Sequence, residues 1–153
     1  MTTKASEHLY TLHRTPFALA PVIQNFYHDW EPVEKDILLS YLILPLVTFK
    51  PMHPFLKQAR NDSSVRTMTS ESKRLIGLAL RVEEFKPITN AALQILAAGK
   101  NITVMPDLSI RSIKRPQKAN ADATLLRYSQ KLAMVLSGED IVATYKMLGL
   151  KSL

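Results

Sequence analysis

The sequence predicts a mainly α fold carrying one small β-hairpin, and three observations predict it. Over most of the chain apolar residues recur at three- and four-residue steps, the period of helices with one buried side. Over residues 102–113 the period shortens to strict alternation, the pattern of paired strands. Two predicted helices directly precede that hairpin, the order found in the second half of a winged-helix motif, so the domain is expected to be winged-helix-like.

The elements follow in order. Residues 1–15 read as a flexible lead-in, and 16–153 as a single helical domain with its wing near 102–113. Thr15 before Pro16 suits an N-cap with proline at the first helical position. Phe17, Leu19, Ala20, Ile23, Phe26, Tyr27 and Trp30 then mark a helical stripe ending at Trp30-Glu31-Pro32. The run Ile37–Phe49 is apolar on nearly every face, which makes it core; at 13 residues it is too short for a bilayer, which needs roughly 20. Pro45 is expected to end or kink a helix there near Leu44. Glu31, Glu34 and Asp36 place negative charge where the dipole of that helix favours it.

Residues 50–66 read as a loop with one helical turn at Phe55–Arg60. Thr69 or Ser70 is expected to cap a helix over Glu71–Phe85, burying Leu75, Leu78, Ala79 and Val82, and Pro87 to stop it. Thr89 or Asn90 would cap a second helix, Ala91–Ala98, ended by Gly99 in the left-handed C′ position. Ile102-Thr103-Val104 and residues 108–113 form the hairpin around Pro106-Asp107. After a basic loop, Asn120 or Asp122 begins a helix through Leu136. Ser137 and Asp140 have capping-box spacing before a last helix, Asp140–Leu148, which stops at Gly149.

Composition narrows the function. The chain has no cysteine, which excludes a disulfide framework, cysteine-ligated zinc and a thiol nucleophile within it. The opening MTTKASEHLYTLHRTPF lacks the apolar core of a secretory signal, and no run has membrane length, so the expected location is cytoplasmic, with no membrane partner. The net charge of +7 is uneven: residues 1–56 hold 4 basic and 5 acidic side chains, residues 57–153 hold 16 and 8. A basic second half favours a polyanionic or acidic partner.

No catalytic motif emerges. The glycines, at 77, 99, 138 and 149, are unclustered, so neither a Walker loop nor a dinucleotide fingerprint is present. His8, His13, His28 and His53 fit no zinc spacing. Neither His28-Asp29 nor Glu83-Glu84 comes with a nucleophile or an orienting third group. The expectation is a non-enzyme without cofactor or metal. The helix before the hairpin, TNAALQILAA, brings Asn90 and Gln94 but no Arg or Lys to read guanine edges, so it suits packing against protein. Lys100, Arg111, Lys114, Arg115 and Lys118, against Asp107 alone, make the hairpin and its exit a candidate contact for DNA or an acidic partner.

Four blocks, in order, carry a family resemblance: Thr15-Pro-Phe-Ala-Leu-Ala; Leu42-Ile-Leu-Pro-Leu-Val; Leu75-Ile-Gly-Leu-Ala-Leu-Arg-Val with Lys86-Pro-Ile-Thr-Asn-Ala-Ala-Leu; and the closing Lys131–Leu150 segment ending in Met-Leu-Gly-Leu. Together they resemble the middle component of three-component ABC systems, the Lamassu-type bacterial defence operons. The chain departs from the expected pattern at Pro106-Asp107, a turn without glycine. The resemblance implies a small non-catalytic subunit seated on an SMC- or Rad50-like ATPase that senses phage or plasmid DNA. It would help couple that sensing to an effector, often a nuclease, with DNA present in the complex. Under this reading Ala91, Leu93, Ile95 and Tyr145 are candidate partner-facing residues. The alternative is a free-standing winged-helix DNA-binding regulator.

Overall fold

A computed structural model describes residues 15–118 and 121–151. The expected lead-in thus lies outside the described residues except for Thr15, as does Asn120. The elements are helix α1 (Pro16–His28), a 3-10 turn (Asp36–Leu39), α2 (Ser40–Val47), a 3-10 turn (Lys50–Met52), α3 (His53–Gln58) and α4 (Val65–Met68). A 3-10 turn (Ser72–Leu75), α5 (Leu78–Ala98), strands β1 (Ile102–Val104) and β2 (Ile110–Ser112), α6 (Ala123–Leu136) and α7 (Ile141–Met147) complete the order.

Helix α1 lies at the centre. It packs against α5, α6, α2 and β2, and every residue from Leu19 to Tyr27 except Pro21 is buried. Thr15 caps it as expected, accepting from Ala18 N at 3.2 Å. Phe17, expected on the buried stripe, is instead 76% exposed, because the first turn precedes the point where α1 enters the core.

The apolar run does form core, with Leu42, Ile43, Leu44, Leu46 and Val47 inaccessible. It is a 3-10 turn followed by an α-helix that continues through Pro45 to Val47 rather than stopping at Leu44. Surrounding packing outweighs the one amide that proline removes.

The larger correction concerns residues 71–98. Neither Thr69 nor Ser70 caps a helix from Glu71; a 3-10 turn over Ser72–Leu75 precedes Gly77, which at φ +69 opens α5. From there one 21-residue helix runs to Ala98, with Pro87 inside it. Thr89 and Asn90 are mid-helix: Thr89 is buried, and Asn90 accepts a hydrogen bond from the Tyr41 hydroxyl at 2.6 Å. The pair of helices that suggested a winged helix is therefore a single helix. Ala79, expected inside, is exposed, whereas Leu78, Val82, Phe85, Thr89, Ala92, Leu93 and Leu96 form one unbroken buried stripe across Pro87. Gly99 does not adopt a left-handed conformation; Lys100 does, at φ 56. Asn101 N donates to Leu96 O at 2.8 Å and Lys100 N to Ala97 O at 3.1 Å, closing a Schellman end around a lysine. A Cβ at Gly99 would stand 2.7 Å from the Asn101 side-chain nitrogen, which would have to swing aside, and 3.3 Å from Ile95 O.

The hairpin forms as expected: β1 and β2 are antiparallel, pairing Ile102 with Ser112, Thr103 with Arg111 and Val104 with Ile110. Its turn is closed by Met105 N donating to Ser109 O (2.8 Å) and Leu108 N to Met105 O (2.9 Å). Leu108 takes φ 66, the left-handed place where glycine is usual. Asp122 caps α6. Asp140 alone caps α7, accepting from Ala143 N, while Ser137 ends α6, so the expected capping box is not made. Gly149, at φ +76, ends α7 as expected.

Candidate functional site

The hairpin is fastened to the helical body by one buried carboxylate. Asp36, inaccessible to solvent, accepts Ile110 N at 2.7 Å on one oxygen. Its other oxygen accepts Val33 N (2.9 Å) and the Trp30 indole Nε1 (3.0 Å). The Tyr27 hydroxyl donates to the Asp36 carbonyl at 2.7 Å. Burial pushes the Asp36 carboxyl above its ordinary value, while the two amides and the indole pull it back. Burial, with the adjacent Asp36 charge, raises the Tyr27 phenol well above the usual range. Two backbone bonds complete the attachment: Lys35 N to Asp107 O (2.9 Å) and Ile37 N to Leu108 O (3.0 Å). Sequence reading gave Asp36 only a dipole role. Its actual role needed the knowledge that Ile110 lies opposite.

The other side of the hairpin is fixed by Gln24, 2% exposed, whose side-chain amide donates to Lys114 O (2.8 Å), Asn101 O (3.2 Å) and Ser112 Oγ (3.2 Å). Asn25 donates to Leu126 O at 2.7 Å, tying α1 to α6. Pro116 is buried, so the basic exit loop is held against α1. These polar residues within an apolar helix were legible only as part of a helical pattern.

The five basic residues singled out by sequence divide into two groups. Lys114 donates its ammonium to Gly99 O at 3.1 Å, beside Lys100, at the root of the hairpin. Arg111, Arg115 and Lys118 open instead onto two adjoining clefts of about 460 and 450 Å³ that share exposed His28. Asp107 is turned into its own loop: Ser109 donates to it from Oγ (2.6 Å) and N (2.9 Å), and these bonds hold its carboxyl below the ordinary range.

The candidate partner-facing residues sit within the chain's own packing. Leu93 is core at 9% exposure, and Ala91 and Ile95 are half-buried. Tyr145 donates its hydroxyl to Leu38 O, and burial pushes its phenol up. The large apolar side chains open to solvent are others, including Phe17, Ile76 (66%), Leu80 (65%) and Val142 (60%).

One cation escaped the sequence reading. Arg81 stacks on the Phe49 ring at 3.5 Å, donates Nε to Pro45 O at 3.3 Å, and bonds Ile76 O through Nη1. It ties the end of α2 to the start of α5, and its burial lowers its pKa, with Glu84 opposing. Among the described residues no group of three or more His, Cys, Asp or Glu could hold a metal. His53 contacts Val47 O at 2.8 Å and the Tyr128 ring, a structural position. No single helix among the described residues is long and apolar enough to cross a membrane.

The class these features define is a mainly helical module whose buried polar side chains fix a basic hairpin to the helical body. The family model described as ABC-three component (ABC-3C) system Middle Component 3 matches residues 3–152, and the chain belongs to that family. It is therefore a component of a multi-protein system. The chain is also similar to part of polyphosphate kinases from Campylobacter jejuni: 31% identical over 108 residues in strain 81-176, covering 71% of this chain and 14% of that enzyme. The same identity holds over 104 residues in the subspecies doylei enzyme, covering 68% of this chain and 14% of the enzyme. The chain thus spans only a small part of the length of these curated relatives. No solved structure matches it.

Proposed function

We propose that this protein is a non-catalytic accessory subunit of a Lamassu-type defence complex, seated on an SMC- or Rad50-like ATPase and coupling its sensing of phage or plasmid DNA to an effector, often a nuclease. The carrying observation is the family match over residues 3–152. The unclustered glycines support it, since nucleotide would be bound by the partner. The proposed setting is the cytoplasm.

The test is a pull-down of the tagged chain expressed with its neighbouring genes. A large coiled-coil ATPase recovered at fixed stoichiometry is the expected result. A chain recovered alone that binds duplex DNA would instead favour the free-standing regulator, a reading the exposed arginines of the hairpin support. Charge insertion at exposed positions, as in Leu80→Glu or Val142→Glu, is expected to report on the contact surface better than Leu93→Glu, which would damage the core.

A further inference from the structure

We infer that the face formed by His28, Arg111, Arg115 and Lys118 is a contact for the phosphate backbone of duplex DNA; this rests on the reading that the complex handles DNA. The sequence placed five cations along one stretch of chain. The fold sorts them and adds the His28 ring from 83 residues before Arg111: Arg111 and His28 line one cleft, Arg115, Lys118 and His28 the next.

Arg111, Arg115 and Lys118 are exposed, as is the His28 ring beside them, and Arg111 also lies within electrostatic reach of Asp107, whose carboxylate is already bound by Ser109. The ion pairs among the described residues are Lys73 and Arg74 with Glu71, and Lys86 with Glu83, none of them here. Glu31 is the one carboxylate among the lining residues of the two clefts. The backbone that carries Arg111 and leads into Arg115 is anchored, because Gln24 holds three acceptors in the hairpin and its exit, and Asp36 holds the start of β2. Anchoring of this kind lowers the ordering cost of Arg111 on a ligand. Two of the three cations are arginines, whose planar fork matches phosphate oxygens.

A protein partner would need an apolar centre surrounded by a polar rim. Here the exposed large apolar residues of the hairpin and its exit are Val104, Leu108 and Ile113, and none of them lines the two clefts. The clefts are walled by polar and charged groups together with Tyr27, Trp30, Pro32 and Pro116, and no Leu, Ile, Val or Met side chain lines them, which suits a charged, wet interface with nucleic acid. With no base-reading helix, binding is sequence-independent and salt-sensitive.

The test uses fluorescence anisotropy of labelled mixed-sequence duplex DNA with the chain alone, alongside co-purification with its neighbouring gene products. Arg111→Ala/Arg115→Ala/Lys118→Ala is expected to weaken binding at least about tenfold and to lower the slope of log affinity against log salt by about 2.7, at about 0.9 per phosphate contact. Matched thermal melts confirm folding, and Arg111→Lys/Arg115→Lys should retain most of the salt slope. Lys57→Ala/Arg60→Ala/Arg66→Ala removes equal charge from other exposed sites and should leave affinity within about twofold. Equal loss in both triple variants would reduce the effect to net charge and overturn the proposal. So would a wild-type chain that assembles with the ATPase but has no affinity for duplex DNA, an outcome that leaves the subunit reading standing. If the first triple variant loses the protein complex and keeps its DNA affinity, the face is an acidic-protein contact and the proposal fails. A chain that binds DNA through these residues but assembles with nothing sinks the subunit reading and keeps this one.

Discussion

At the scale of single residues, Asp36 is the most consequential side chain. A buried carboxylate without a cationic partner is costly unless hydrogen bonds satisfy it, and here two amides and an indole do so. Asp36→Asn keeps the shape but turns an NH₂ toward donors. We expect it to destabilise the protein by about 1–3 kcal/mol in urea unfolding. The pH dependence has a defined sign. Burial raises the folded carboxyl above its unfolded value near 3.8, so the folded state holds the proton more tightly. That contribution is complete below the unfolded value and is lost as pH rises through the folded one. The gap between wild type and Asp36→Asn should therefore be widest in acid and shrink toward neutrality; a gap that widens with rising pH contradicts the assignment. Neither the role of Asp36 nor that of Gln24 was legible in the sequence, because their acceptors and donors lie in the hairpin, 74 positions from Asp36 in one case. Lys100 and Leu108 were missed for a related reason. Local helix-end bonds hold Lys100, and the hairpin turn together with Ile37 N holds Leu108, at positive φ, where propensity would place glycine.

At the scale of elements, boundaries are legible in the sequence where caps and period agree. Thr15, Asp122 and Gly149 mark real boundaries, and the alternation at 102–113 is a real hairpin. Prolines are the misleading signal: Pro87 reads as a stop, although the stripe Leu78, Val82, Phe85, Thr89, Ala92, Leu96 keeps its helical step across it. That continuity was visible in the residues and outweighs one lost amide, because the carbonyl that would have paired with it can turn toward water. Pro87 is exposed, so Pro87→Ala should restore the missing hydrogen bond without opening a cavity. We expect a gain of about 1 kcal/mol, read as a higher urea midpoint at unchanged slope. No gain would mean that α5 depends on a bend at this point.

At the scale of the whole molecule, the candidate site was half legible. The sequence named the cations of the hairpin but could not show that Lys114 is held by Gly99 O or that His28 joins the others. The central position of α1 has a further consequence, in the order of synthesis. Helix α1 leaves the ribosome before the elements that enclose it, α2, α5, β2 and α6, and must wait for them. Asn25 finds its acceptor 101 residues later, at Leu126, and Gln24 its carbonyl 90 residues later, at Lys114. Such separations slow folding, since loop closure precedes any reward. A chain stopped at residue 118 would lack α6, leaving one long side of α1 uncovered. It should show helical signal but no cooperative thermal transition, whereas a cooperative melt would mean that α1 and α5 suffice as a nucleus. Until α6 emerges, the nascent chain carries an uncovered apolar helix of the kind that chaperones bind. Pausing translation late in the message should therefore lower the yield of folded protein more than pausing it early.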